Sequence, residues 1–219
     1  MKRMYLDYAA ATPLSPAAWM AMEPILTGVW GNPSSLHAEG VRAHQALKKA
    51  HEVVALCIGA HADEIVFTSG ATEAINLAIF GALRAGVHRG NHVVTIATEH
   101  AAALNVLKNV GANTTIVPVN SRGHVAVNEI IAAITPNTVL VSLMMVNNEI
   151  GLIQDIHEIG KAITMRRKND GSVYPLLHSD ASQAPNYCEI DVEKLHVDLL
   201  TLSSPKVYGP KGAGALYIR

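Results

Sequence analysis

With 219 residues, 49% of them hydrophobic and only 16% charged, the chain has the composition of a well-buried fold rather than a disordered or heavily solvated one. Seventeen basic against eighteen acidic side chains leave a formal charge of -1, a balance that argues against a nucleic-acid surface. The length suits one sizeable core, so one α/β domain is the expected count.

The start, MKRMYLDYAA, runs into a strand-like stretch and has neither the apolar segment nor the small-residue cleavage site of a secretory signal. No uncharged apolar stretch reaches the roughly 18 residues of a spanning helix, so a cytoplasmic protein with no membrane association is expected. Ser15 and Pro16 mark a helix start, and the segment to about Leu26 is apolar on one side. WGNPSS reads as a loop, and Leu36 to Ile58 carries helical spacing that stops at Gly59. A strand at Glu64–Thr68, a helix from Thr72 to about Arg84, a strand at His92–Ala97 and a helix from near Ala101 follow.

The rhythm continues with a strand at Thr114–Val119, a helix at Val127–Ile134, a buried strand at Thr138–Met145 and a helix at Ile156–Arg167. RRKNDGS is a polar loop before a strand at Tyr174–Ser179, and the apolar run Val197–Leu202 fits another buried strand. Repeated βαβ spacing implies a three-layer α/β/α architecture with a mostly parallel sheet. The two cysteines, Cys57 and Cys188, stand in no metal-like spacing. Cys57, in the apolar helical run VVALCIG, reads as a buried inert thiol, and Cys188 as the more exposed of the two.

In such a sheet ligands bind where strands end, and the unusual residues collect there. TSGATEAINLAIF leaves a strand through Ser69 and Gly70 and enters a helix at Thr72, which makes either a phosphate cradle or an ordinary hydroxyl cap. His100 follows a strand and opens a helix, where it serves as a structural hydrogen-bonding residue or as a ring that stacks on a ligand and exchanges protons. Asn147, Asn148 and Glu149 come directly after a buried strand. Asp180 follows an apolar strand with Gln183 three residues on, a spacing that also fits a capping box. The histidines around VHRGNH form no metal-ligand motif.

The last corner, LSSPKVYGPKGAG, places Lys206 just beyond a buried strand, whereas Lys211 lies in the glycine-rich turn and reads as a surface residue. A strand-end lysine, a carboxylate on the preceding strand, a phosphate-type helix start and a strand-end histidine together match the needs of a pyridoxal phosphate site. The lysine attaches the cofactor covalently, and the carboxylate keeps its pyridine nitrogen protonated.

The segments YLDYAAATP, GNPSSLH, EIVFTSGATEAINLAI, TEH, VNNEIG, SDASQ and KVYGPKGAGALYIR cover nearly the whole chain. In their order they resemble the class V, fold-type I pyridoxal phosphate enzymes, and among them the cysteine desulfurases of iron–sulfur cluster and sulfur-transfer pathways. The resemblance implies that Lys206 binds the cofactor covalently, that Asp180 pairs with the pyridine nitrogen, and that Gln183 bonds the phenolic oxygen. It further implies that His100 stacks on the ring and moves protons, that Ala71, Thr72 and Ser203 bind the phosphate, and that Asn148 lies near cofactor and substrate carboxylate. Pro205 departs from the family, where histidine commonly precedes the lysine; proline offers neither an imidazole nor a backbone N–H, so weaker phosphate anchoring is expected.

The same resemblance implies a homodimer acting on L-cysteine, with sulfur-acceptor or scaffold proteins as partners. Residues 1–219 correspond to the N-terminal segment and most of the cofactor-binding large domain, and the small C-terminal domain with its nucleophilic cysteine has no counterpart here. Neither Cys57 nor Cys188 matches that nucleophile, so full turnover by these residues alone is not expected. Another class V activity, such as an aminotransferase or selenocysteine lyase, and a non-catalytic truncated interaction protein remain open alternatives.

Overall fold

The structure is a computed structural model, and residues 3–219 are described. The strand-like stretch expected near the N-terminus is irregular chain with a turn at residues 8–10, and Met1 and Lys2 lie outside the described residues. Helix α1 (Pro16–Gly28) starts as its sequence predicts: Ser15 Oγ accepts from the Ala18 N–H at 3.0 Å and Pro16 opens the first turn. Helix α2 (Ala38–Ile58) is capped by His37 and ends at Gly59.

From there the chain alternates: β1 (Ile65–Thr68), α3 (Ala71–Ala85), β2 (His92–Ile96), α4 (Ala101–Asn109), β3 (Asn113–Val117), α5 (Val127–Ala133) and β4 (Thr138–Met144). It continues through α6 (Ile156–Asp170), β5 (Leu176–Asp180), the short α7 (Val192–Leu195), β6 (Leu199–Ser203) and β7 (Gly214–Ile218). The seven strands form one sheet in the order β1-β7-β6-β5-β4-β2-β3. Neighbours from β3 through β6 are parallel, whereas β7 pairs antiparallel with both β6 and β1. The spacing rule therefore holds for the centre of the sheet, while β7 returns through the turn after Lys206 without a crossover helix.

Strand side chains alternate between two cores, as period two requires. Val93, Leu199 and Leu216 pack with Ala74, Ile75, Ala78 and Ile79 of α3 and with Leu107 of α4. Val94, Leu200 and Tyr217 pack on the other face with Ile130 of α5 and with Ile159 and Ile163 of α6. Each large aliphatic side chain removed from water in these layers contributes about 1.5–3 kcal/mol. Every residue of β4 is buried, which fits its place near the centre of a sheet covered on both faces. By contrast α1 buries none of its residues, leaving Trp19, Met20, Ile25 and Leu26 exposed.

Candidate active site

Strand β2 is followed in sequence by β3 on one side of it, whereas β4 is followed by β5 on the other. The connections thus diverge between β2 and β4, and a parallel sheet opens a crevice at the carboxyl ends of strands where this happens. A cavity of about 310 Å³ lies there. Its walls bring together Ala71, Thr72, His100, Asn148, Asp180, Gln183, Ser203 and Lys206, the eight residues to which the resemblance gives a role, along with Pro205. Lys211 is exposed and not among the lining residues.

One wall is the start of α3. Gly70 precedes it with φ 152°, a conformation that costs glycine little, and has no side chain to cap the helix. The first intrahelical bond runs from the Ala74 N–H to the Gly70 carbonyl, so the N–H groups of Ala71, Thr72 and Glu73 come before the ladder begins and are suited to an anion. Glu73 accepts from the Ser69 N–H at 2.6 Å and from Ser69 Oγ at 2.7 Å, bonds that hold its carboxyl below the usual range. Strand β7 passes close behind: a Cβ on Gly214 would lie 2.7 Å from the Gly70 Cα, so any larger residue there would displace the corner.

The opposite wall is the end of β5. Asp180 is buried, and its Oδ1 accepts from the Ser182 N–H at 2.9 Å and from Ser182 Oγ at 2.6 Å. Burial raises the Asp180 carboxyl above the ordinary value, against the opposing effects of the Ser182 bonds and of the nearby His100 and Lys206 charges. Its Oδ2 has no hydrogen-bond partner among the described residues. The capping-box reading of Asp180 and Gln183 fails, because the chain turns at Ser182 and forms no helix before Val192. Gln183 instead sends its Nε2 to the Ala9 carbonyl at 2.8 Å.

Lys206 ends a single helical turn, Ser204–Lys206, that directly follows β6. Its Nζ donates to the carbonyls of Ala9 at 2.9 Å and Ala10 at 2.6 Å. The N-terminal segment is anchored beside it, since the Thr12 N–H and Oγ both donate to the Pro205 carbonyl and the Tyr208 N–H donates to Thr12 Oγ. Ser182 and these two alanine carbonyls are site groups that the sequence reading missed. The SDAS pattern, a serine two residues after an aspartate, was the available signal for the former.

His100 meets both of its readings. As N-cap of α4 its Nδ1 accepts from the Ala102 N–H at 3.0 Å, which leaves Nε2 to carry the proton in the neutral ring. Of the two asparagines after β4, Asn147 is structural: its Nδ2 donates to the Thr98 carbonyl and its Oδ1 accepts from the Glu149 and Ile150 N–H groups. That leaves Asn148 to face the cavity.

A larger cavity of about 620 Å³ lies beside α2 and β7, lined mainly by apolar residues such as Val53, Phe67 and Val207. It lacks convergent charged groups, and the smaller one is the site on chemical grounds. Both cysteines line it, and their expected order is reversed: Cys57 is exposed, while Cys188 is partly buried with its thiol pushed up by burial. Cys57 sits two residues past buried Ala55 and one before buried Ile58, so it points away from the helix face that meets the sheet. Among the described residues no group of three or more His, Cys, Asp or Glu is placed to hold a metal ion. Nor is any helix of theirs long and apolar enough to cross a membrane.

The family described as aminotransferase class-V matches residues 4–219. The cysteine desulfurase IscS of Dictyoglomus turgidum is 43% identical over 223 residues, covering 100% of this chain and 55% of that protein. The mitochondrial cysteine desulfurase of Drosophila melanogaster is 44% identical over 220 residues, covering 99% of this chain and 46% of that protein. Among solved structures, SspA in complex with cysteine superposes with a TM-score of 0.90 at 38% identity, over 99% of this chain and 61% of that one. A NifS-like protein superposes with a TM-score of 0.92 at 35% identity, over 100% and 59%.

The chain thus spans about half the length of the curated relatives it matches. Its fold is fold-type I α/β, and pyridoxal phosphate is the cofactor that this family implies. The donor set fits that molecule: open N–H groups for a phosphate, a buried carboxylate with one oxygen free for a ring N–H, and an amine for a carbonyl carbon. By sequence match, fold and the chemistry of its cavity, the chain belongs to the class-V aminotransferase family.

Proposed function

We propose that residues 1–219 form the N-terminal segment and most of the cofactor-binding domain of a cysteine desulfurase, which takes sulfur from L-cysteine and releases alanine. The single observation that carries this reading is the convergence of Lys206, Asp180, His100 and the open start of α3 on one cavity. Support for the substrate comes from relatives named cysteine desulfurase at 43% and 44% identity. When bound, pyridoxal phosphate supplies an electron sink for charge developing on the substrate α-carbon.

The chain's own groups divide the remaining work. The α3 N–H groups of Ala71 and Thr72, with Ser203, would hold the phosphate, and Asp180 Oδ2 would pair with the positive charge of the pyridine nitrogen. Gln183 and Asn148 orient polar oxygens of cofactor and substrate. Lys206 Nζ, once free of the Ala9 and Ala10 carbonyls, attaches the cofactor and then moves the α-proton, while His100 Nε2 exchanges a proton nearby. A cysteine thiolate attacks the substrate sulfur; the carbon–sulfur bond breaks, the sulfur stays on that cysteine as a persulfide, and protons complete alanine. Neither Cys57 nor Cys188 lines this cavity, so that thiolate belongs to residues outside these 219.

A homodimer and a cytoplasmic location go with this reading, as do sulfur-acceptor or scaffold proteins of iron–sulfur cluster assembly or tRNA thiolation. The exposed apolar residues of α1 supply a surface for the subunit contact. The test is to incubate the purified chain with pyridoxal phosphate, reduce with borohydride and map the adduct by mass spectrometry. A single adduct on Lys206, lost in Lys206→Ala, is expected; an adduct scattered over surface lysines such as Lys211, or none, would sink the reading.

A further inference from the structure

Glu99 is a buried acid that the proposed chemistry leaves without a task. It lies three residues beyond β2 and is buried where β2 and β4 diverge, although it adjoins exposed His100. Its Oε1 accepts a short hydrogen bond from the N–H of Met144, the last residue of β4, and its Oε2 is buried with no partner at all among the described residues. Met144 stands in register with Asp180 on the neighbouring β5. Two buried carboxyls therefore flank one strand end, and only Asp180 lines the cavity.

A buried carboxylate with one oxygen unsatisfied costs several kcal/mol, and two like charges this close oppose each other further. We infer that Glu99 is a positioning residue: its carboxyl ties the exit of β2 to the end of β4 outside the cavity and, of the two buried carboxyls, leaves Asp180 to meet the ligand. This inference rests on the cofactor reading of the site. A neutral Glu99 braces the segment that carries His100 without competing with Asp180 for the positive ring nitrogen.

The groups that bear on the pair agree with this division. Burial first, and then the charge of Asp180, push the Glu99 carboxyl up to about 8, against the pull of the Met144 N–H. Asp180 is pulled the other way by His100 and Lys206, which favour its charged form. The remaining side chains at the tip of β4, Asn147 and Asn148, carry no charge. In the folded chain Glu99 keeps a proton that the unfolded chain releases near the ordinary value of 4.5. Its contribution to stability therefore falls as pH rises from about 4.5 to about 8, and is constant above.

The first experiment needs no cofactor: thermal melts of the full chain and of Glu99→Gln across pH 5 to 9. Glutamine keeps the shape and cannot ionise, so the variant's Tm relative to wild type should climb by several degrees as pH approaches about 8, then run parallel. In Asp180→Asn, which removes the neighbouring charge, the Glu99-dependent window should move to lower pH. In the loaded chain, Glu99→Ala should weaken cofactor binding about tenfold while Glu99→Gln restores it, the scale of one hydrogen bond to a buried group. Melts of wild type and Glu99→Gln that run parallel throughout, with the Lys206 adduct intact, overturn the inference alone; loss of the adduct in wild type overturns the reading beneath it.

Discussion

At the amino-terminal ends of the parallel strands, His92 is held between Thr138 and Thr115, and Arg167 forks onto Asp198, whose carboxylate also accepts from the Leu177 N–H. At the carboxyl-terminal ends, Glu99 and Asp180 are as deeply buried, yet each keeps an oxygen without a protein partner. His92 and Asp198 are thus satisfied where nothing binds, although Tyr217 Oη at that end has no partner among the described residues, and Asp180 is left open where a ligand would supply the missing bond. An unsatisfied buried group costs about 1–3 kcal/mol, so the open Asp180 oxygen weakens the free chain, whereas the bonds of His92 and Asp198 support it.

The comparison breaks most sharply at the closed end. Arg167→Ala leaves the partly buried Asp198 with only the Leu177 N–H, and should cost about 1.5–3 kcal/mol in urea unfolding, the worth of a hydrogen bond to a charged group. The Lys206 adduct should still form in the folded fraction; its loss with an intact fold would mean that the two ends are not independent.

Between the ends lies His178, fully buried, with Nδ1 bonded to Ser142 Oγ and Nε2 to Thr201 Oγ. Burial lowers it from 6.5 to about 4, so the unfolded chain binds its proton first and stability falls as pH drops from about 6.5 to about 4. Thermal melts over that window should show the decline in wild type and a flatter profile in His178→Asn. This opposes the Glu99 trend, which weakens the chain at higher pH.

At the open end the signs separate. Asp180→Ala should raise the cofactor dissociation constant about tenfold to a hundredfold, the worth of a charge-assisted hydrogen bond of about 1.5–3 kcal/mol. The same change should leave Tm at neutral pH unaltered or raised, because it removes a buried carboxylate that pays for its place only when the cofactor is bound. A large fall in Tm would show that Asp180 supports the fold as Asp198 does. The smallest effect is expected from Pro205→His, which restores a donor beside Lys206 and should tighten cofactor binding about threefold to tenfold, within the range of one hydrogen bond.

How far the sequence was legible follows the range of the interactions involved. Lys206, Asp180, His100 and the Ser69–Thr72 corner could be read because each ends an apolar run, and strand ends in a parallel sheet converge. Helix α1 could be read because its cap, Ser15 followed by Pro16, is local. Glu99 could not, because beside exposed His100 in TEH nothing in sequence reveals that β4 closes over it through the Met144 N–H. Cys57 misled because a continuous apolar run, VVALCI, hides which residues share the buried face. Ser182 diverted the expected helix at Asp180 by bonding the carboxylate two residues back, a competition that a spacing rule does not resolve.

The bonds from Lys206 to the Ala9 and Ala10 carbonyls join chain segments almost two hundred positions apart. Any partner that takes the lysine nitrogen takes it from those carbonyls, and the segment then stays tethered through Thr12 to Pro205 and Tyr208. Occupancy of the cavity is therefore a contest with an incumbent, and the contest is visible from outside. Backbone amides around residues 9–12 should exchange with solvent at a rate that tracks whether the amine is engaged, making the N-terminal segment a built-in gauge of loading.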